Sequence, residues 1–245
     1  MSIKIDKRKK YGVMLDTETV NGLDCPLFYD LGYQIIDSHG NKYIERSFVN
    51  ANIFLEHKEL MQTAYYADKI PQYWRDIKSG KRVLTSMYNI RQQLQADCDL
   101  YNCVFICAHN ARFDYKALNN TQRYITKSKY RYFTPYGLEW WDTLAMAKSI
   151  LFNKPSYIDF CEKHNINNNG VNSHLTKAGK PRFTAEIIFQ YISSNPAFIE
   201  SHTGLEDVEI ERQILAWCKR QHKAMKKNAF SSKKVLTSDK KLDII

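Results

Sequence analysis

Tyr11-Gly12-Val13-Met14-Leu15-Asp16-Thr17-Glu18-Thr19 is a short apolar run that ends in two carboxylates one residue apart. In an extended strand, residues i and i+2 point to the same face and stand roughly 6 to 7 Å apart, so Asp16 and Glu18 can reach one ion together. Without a cation, two carboxylates at the rim of a sheet repel, rise in pKa and cost stability, so the pair favours a bound hard cation. Two more strand-like runs follow, residues 27–36 and 42–49. The turn-forming segment Asp37-Ser38-His39-Gly40-Asn41 between them predicts an antiparallel hairpin.

Downstream, Leu84, Met87, Tyr88, Arg91 and Leu94 recur at helical spacing over residues 84–100, and a strand over 104–108 runs into a helix that begins near Ala111. A further strand is expected at 138–141, then helices at 143–151, 156–164, 184–194 and 204–222, with a polar surface loop at 165–173. Three strands followed by alternating helices and strands indicate an α/β chain, a mixed sheet with helices packed against it.

The C-terminal helix carries a second chemical signal. Ile210, Ile214, Trp217 and Cys218 follow Asp207 at offsets of three, seven, ten and eleven, which makes a core-facing stripe headed by a carboxylate. A carboxylate there needs partners, since burying it uncompensated shifts its ionisation or costs several kcal/mol. Thr203-Gly204-Leu205-Glu206 fits a capping box with Thr203 as N-cap and Glu206 reaching back. His202 then precedes the cap and Asp207 sits at the fourth helical position, a pair of positions whose side chains usually meet at a helix entrance. A histidine beside a metal-ligating aspartate is placed to take a proton from an attacking water. Asp114 falls in the first turn of the helix after the 104–108 strand, with Asn110 as the expected N-cap. Asp142 reads as an N-cap, outside the metal set. His109, at the end of an apolar strand, reads as a structural histidine held by hydrogen bonds, which leaves His202 as the base.

The 245 residues suffice for one core, with no linker and no stretch near the roughly 20 apolar residues that span a bilayer, so a protein of the cytoplasm is expected, with no membrane partner. Six cysteines at irregular spacing suit reduced thiols. Cys98, Cys103, Cys107 and His109 could form a zinc site, but buried cysteines acting as small hydrophobes are the expectation. The net charge of +10 is uneven: residues 1–10 carry +4, residues 219–245 carry +7, and the span between them carries −1. The organisation expected is a basic segment 1–10, a domain 11–222 and a basic tail 223–245, the ends attracting phosphate or serving as solvated termini.

Three segments in order, Asp16-Thr17-Glu18-Thr19, His109-Asn110-Ala111-Arg112-Phe113-Asp114, and His202 with Asp207 five residues on, resemble the motifs of the DnaQ-like, or DEDDh, 3′-to-5′ exonucleases. That family includes the proofreading subunits of bacterial replicative polymerases. Asp142-Thr143-Leu144 matches its Asp-Thr-Leu segment. This chain departs from the pattern where Val20-Asn21-Gly22 delays the glycine of the first motif, and where Gly204 stands in place of a frequent alanine. Residues 183–217 look like phage or prophage versions. The resemblance implies a ribonuclease H-like fold with a mixed five-stranded sheet and a two-metal mechanism with Mg²⁺ or Mn²⁺. It implies that Asp16 touches both ions, Glu18 and Asp207 complete the tighter site, Asp114 supports the second, and His202 deprotonates the water. Thr17, Thr19, Leu23 and Phe113, in or beside the first two motifs, are the candidates for touching substrate.

The expected partner is single-stranded nucleic acid, DNA before RNA, with release of nucleoside 5′-monophosphates. An exoribonuclease is the second reading. A polymerase-associated binding subunit, tethered to a DNA polymerase through the basic tail, is the third.

Overall fold

The computed structural model describes residues 5–129, 131–165 and 173–231. Its frame is one sheet built on β1 (Tyr11–Val20), β2 (Leu27–Asp37), β3 (Lys42–Asn50), β4 (Val83–Thr85), β5 (Phe105–Ala108), β6 (Glu139–Asp142) and β7 (Phe230–Ser231). The strand order is β4-β3-β2-β1-β5-β6-β7. β1, β2 and β3 pair antiparallel, while β5 runs parallel to β1, and β6 parallel to β5. The five strands from β3 to β6 form the expected ribonuclease H-like sheet. Two short edge strands, β4 and β7, extend it to seven.

The hairpin between β2 and β3 closes as its turn chemistry requires. Asp37 Oδ1 accepts the amides of His39 and Asn41, and Gly40 takes φ +86°, a value open to glycine. After β3 the chain makes two single-turn helices, α1 (Ala51–Phe54) and α2 (Lys58–Met61), a 3₁₀ turn, and α3 (Ile70–Lys78). This excursion escapes the sequence reading because its elements are too short for periodicity to register, and Pro71 punctuates the start of α3.

The helix expected at 84–100 is α4 (Met87–Tyr101). Leu84 belongs to β4 instead, because Ser86 caps the helix by accepting the Asn89 amide. Tyr88 is 63% exposed; the buried stripe is Met87, Ile90, Leu94, Cys98 and Tyr101. α5 (Arg112–Thr126), α6 (Thr143–Leu151), α7 (Pro155–His164), α8 (Ala185–Ile192) and α9 (Gly204–Arg220) complete the chain order. The loop expected at 165–173 lies mostly outside the described residues. Among the described residues, no helix is long and apolar enough to cross a membrane.

The period of two along β1 divides the core. Val13 and Leu15 pack with residues of α4 and α5 on one face, and Met14 packs with residues of α6, α8 and α9 on the other. Asp16 and Glu18 continue the Met14 face, toward α9. Thr17 continues the other, toward α5.

Parts of both expected basic ends belong to this body. Lys9 Nζ bonds Asp37 Oδ2 at 3.1 Å. Lys227 accepts the Asp142 amide through its carbonyl, and Phe230 is buried against Trp140 as part of β7. The stretch expected to be tail from 223 therefore contributes to the sheet as far as Ser231. A single phenylalanine in a lysine-rich run gives no strand signal in sequence.

Cys98 and Cys103 meet, but Cys107 does not join them. Cys98 and Cys103 are buried on the α4 side, Cys107 is buried on the opposite face, and all are free thiols.

Candidate functional site

The site forms where α9 meets β1 and β2. Gly32, the register partner of Asp16, lies so close to α9 that a Cβ on it would stand 2.3 Å from the Gly204 carbonyl carbon and the Leu205 amide nitrogen. A Cβ on Gly204 would lie 2.7 Å from the Gly32 nitrogen and 3.2 Å from the Asp16 carbonyl oxygen. Two glycines thus let a helix N-terminus rest directly on the sheet beside Asp16. This accounts for a glycine at position 204.

A buried ionic network fixes the helix there. Asp30 Oδ2 accepts the Gly204 amide at 2.9 Å and the Tyr73 hydroxyl at 2.7 Å. Arg82, its side chain 1% exposed, donates to Asp30 at 3.2 Å, Ser47 Oγ at 3.0 Å, Asp76 at 3.1 Å and Glu206 at 2.7 Å. Burial works against the Arg82 charge, but Asp30 and Glu206 outweigh it and hold the guanidinium protonated.

Asp16, Glu18 and Asp207 then converge, each offering a carboxylate oxygen, all within 4.8 Å of one another. Asp114 approaches from the opposite face of β1: its Oδ1 accepts the Thr17 hydroxyl at 2.9 Å and the Thr17 amide at 3.1 Å. It adjoins the triad without joining it. The electrostatics are those of a surplus of anions. Burial, then Glu211 and Asp114, push Asp16 well above the usual carboxylate range. Burial, then Asp30 and Glu200, push Glu18 up to about 8. Asp207 rises to about 9 through burial, Glu200 and Glu18. Asp114 rises to about 7 by burial, against the pull of its Thr17 bonds. An all-oxygen donor set carrying uncompensated negative charge fits hard divalent cations.

Several local expectations are corrected. The residue reaching back to the Thr203 amide is Asp207, at 3.0 Å, whereas Glu206 takes the Thr203 hydroxyl and the Arg82 guanidinium. Arg82 and Lys81 draw Glu206 away, which no local capping rule foresees. With Asp207 so engaged, the expected His202–Asp207 pairing is replaced. His202 takes φ +51°, stacks on Tyr66 with ring centroids 4.2 Å apart, and places Nδ1 3.9 Å from Glu200. Burial lowers its pKa, so the ring is neutral at neutral pH. Asn110 does not cap α5 through its side chain; Ala111 occupies the cap position, and Asn110 takes φ +63°. Asp142 caps α6, accepting the amides of Leu144 and Asn110 at 3.0 Å. Both ring nitrogens of His109 are engaged: Nδ1 faces the Thr143 hydroxyl at 3.0 Å and Nε2 the Phe183 carbonyl at 2.9 Å.

Of the residues expected to touch substrate, Thr17 is buried against Asp114, Thr19 and Phe113 are half-buried, and Leu23 is 79% exposed on the β1–β2 turn.

Three acids were missed. Glu211, 3% exposed, accepts the His109 amide at 3.0 Å and sits one turn beyond Asp207. Its offset of four would have placed it on the same helix face. Glu186 and Glu200 form a second group with His202, ligand atoms again within 4.8 Å. Their proximity depends on the chain after α8 folding back so that the Glu200 amide meets Glu186.

No protein-family model matches this chain, and no curated protein matches it in sequence. Among solved structures, E. coli exonuclease I in complex with a 5cy-dT13 oligonucleotide is similar with a TM-score of 0.50 and 13% identity. The likeness covers 87% of this chain and 41% of that one, so the chain spans well under half the length of that structure. A 3′-exonuclease that recognises the histone mRNA stem-loop is similar at TM-score 0.49 and 12% identity, over 93% of each chain. The fold shared with the first is the ribonuclease H-like sheet described above.

Proposed function

We propose that the protein is a metal-dependent 3′-to-5′ exonuclease that removes nucleoside 5′-monophosphates from single-stranded or frayed DNA 3′ ends. The observation that carries this reading is the convergence of Asp16, Glu18 and Asp207 within 4.8 Å, on elements far apart in sequence, with Asp114 alongside. The three sequence motifs and the ribonuclease H-like fold support it, and the oligonucleotide held by the similar exonuclease I structure is in keeping with the substrate class.

Asp16, Glu18 and Asp207 would hold one divalent cation, and Asp16 with Asp114 would support a second, Mg²⁺ or Mn²⁺ in each case. When bound, the cations supply positive charge for the phosphate oxygens and the departing 3′ oxygen. The chain supplies the rest. His202, neutral and half-buried, accepts the proton of the attacking water, and the Tyr66 ring stacked on it holds its imidazole in place. Thr17 fixes the Asp114 carboxylate, and Leu23 and Phe113 flank the terminal nucleotide.

For His202→Ala the expected loss in kcat is on the order of 10² to 10⁴, the usual worth of a general base. Cation binding at Asp16, Glu18 and Asp207, read by calorimetry, should stay within about threefold, since His202 is not among those three ligands; an unchanged kcat would assign the base elsewhere. Release of 5′-monophosphates from DNA with Mg²⁺, and its absence with EDTA, read by chromatography, tests the activity itself.

Metal binding should also show in stability. Asp207, Glu18 and Asp114 keep their protons to higher pH when folded than when unfolded. The contribution of these three acids to the cation-free fold is therefore fully present below about pH 4, and is lost as pH rises toward pH 7 to 9, where they ionise against one another. A divalent cation offsets that loss. Mn²⁺ is expected to raise the Tm several degrees more at about pH 8.5 than at about pH 5.5. Equal shifts at both values would contradict the acid cluster as the binding site.

A further inference from the structure

A cleft of about 630 Å³ opens beside the acid cluster, within the range of about 300 to 1,000 Å³ that small-ligand sites occupy. Its walls change character along its length. Glu200 and Glu211 line it on the side of the acids, while Lys148 and Lys180 line it elsewhere. Phe152 and Phe183 line it as well, rings nearly parallel with centroids 6.5 Å apart. Lys148 comes from α6. Lys180 and Phe183 come from the segment before α8, where a turn closed by the Leu175–Pro181 bridge presents Lys180 to solvent. The Phe183 carbonyl is held by His109, so the aromatic wall is tied to the strand end that leads into Asp114.

We propose that this cleft seats the nucleotide on the 5′ side of the scissile phosphate in a single-stranded nucleic acid. The proposal rests on the phosphodiesterase reading above. The charge pattern decides which nucleotide it is. The terminal nucleotide that an exonuclease releases carries one phosphate, the one being cut, and ends in a free 3′ hydroxyl. Beyond that phosphate it gives Lys148 and Lys180 nothing to neutralise. The nucleotide on the 5′ side carries the scissile linkage at one end and a second phosphate at the other. With the first against the cation-loaded acids, the second falls to Lys148 and Lys180, and the base lies against Phe152 and Phe183, whose faces accept any base. Lys148 Nζ stands 5.7 Å from the Phe183 ring centroid, so charge and stacking surface adjoin. The contact is to backbone and base face, so it grips a strand without reading its sequence.

The test compares the unaltered protein with Lys148→Ala/Lys180→Ala on two substrates. One is an oligodeoxythymidylate of about 20 residues. The other is the p-nitrophenyl ester of thymidine 5′-monophosphate, which has no second phosphate. The double variant is expected to raise KM for the oligonucleotide about tenfold. Its efficiency ratio, oligonucleotide over ester, should fall by the same factor. Anisotropy of the labelled oligonucleotide in Ca²⁺ should show the salt dependence of log K falling by about 0.7, the worth of the one phosphate that the two lysines share. Unchanged oligonucleotide affinity and salt slope would overturn the cleft assignment, as would equal loss on both substrates. Failure of the unaltered protein to cleave either substrate would overturn the catalytic reading alone, because the anisotropy series still reads the cleft.

Discussion

Asp16→Asn is expected to cut oligonucleotide cleavage by about a thousandfold or more while raising the Tm of the cation-free protein. Asp16 faces four other carboxylates, with Glu211, Asp114, Glu18 and Asp207 each pushing its proton affinity up. Neutralising it relieves that repulsion, so the apo fold gains. The same change removes the acid that the proposed mechanism shares between two cations. Electrostatic stabilisation of several kcal/mol at the phosphate corresponds to a factor of about 10³ at 1.36 kcal/mol per decade. Activity lost because the protein unfolds would show a lower Tm, and activity lost at the site a higher one. Mg²⁺-dependent cleavage above about a tenth of the original rate would remove Asp16 from the mechanism.

Arg82→Met should produce the largest loss of stability. The guanidinium is the cation that neutralises Asp30, which is fully buried and also holds the Gly204 amide. Removing one partner of a buried pair leaves the other charged and unpaired, at a cost of roughly 3 to 5 kcal/mol. At about 2 to 4 °C per kcal/mol for a chain of this size, the Tm should drop by roughly 10 °C. Asp30→Asn in the same chain removes the stranded charge and should recover much of that loss. Because the network seats α9, and α9 carries Asp207, the single variant should also bind Mn²⁺ more weakly. A Tm within about 2 °C of the unaltered protein would show that the network does not hold the helix.

How much of this is legible in the sequence follows from how local each cause is. β1 with its paired carboxylates, the hairpin at Asp37 to Asn41, and the stripe headed by Asp207 are encoded within a dozen residues each, and each is found where the pattern puts it. The strands from β3 to β6 follow from apolar runs and their punctuation. What sequence could not supply is what depends on distant partners. Arg82 is one arginine among many until Asp30, Ser47, Asp76 and Glu206 are seen around it. Glu206 looked like the capping residue, but Arg82 and Lys81 claim it, and Asp207 takes the Thr203 amide in its place. The placement of His202 against Tyr66 and Glu200 could not be read either, because Tyr66 lies in the short helical excursion that has no periodic signal. Gly204 has a reason visible only in three dimensions, the backbone of β2 pressed against it at Gly32.

The most direct test of the central claim is digestion of a 5′-labelled single-stranded DNA, beside the same sequence in RNA, with Mg²⁺ or Mn²⁺ and with EDTA. The expected result is a ladder that shortens from the 3′ end, stronger on DNA than on RNA, and that EDTA abolishes. Folded protein that leaves both strands intact with either cation, or cleavage that persists in EDTA, would contradict it.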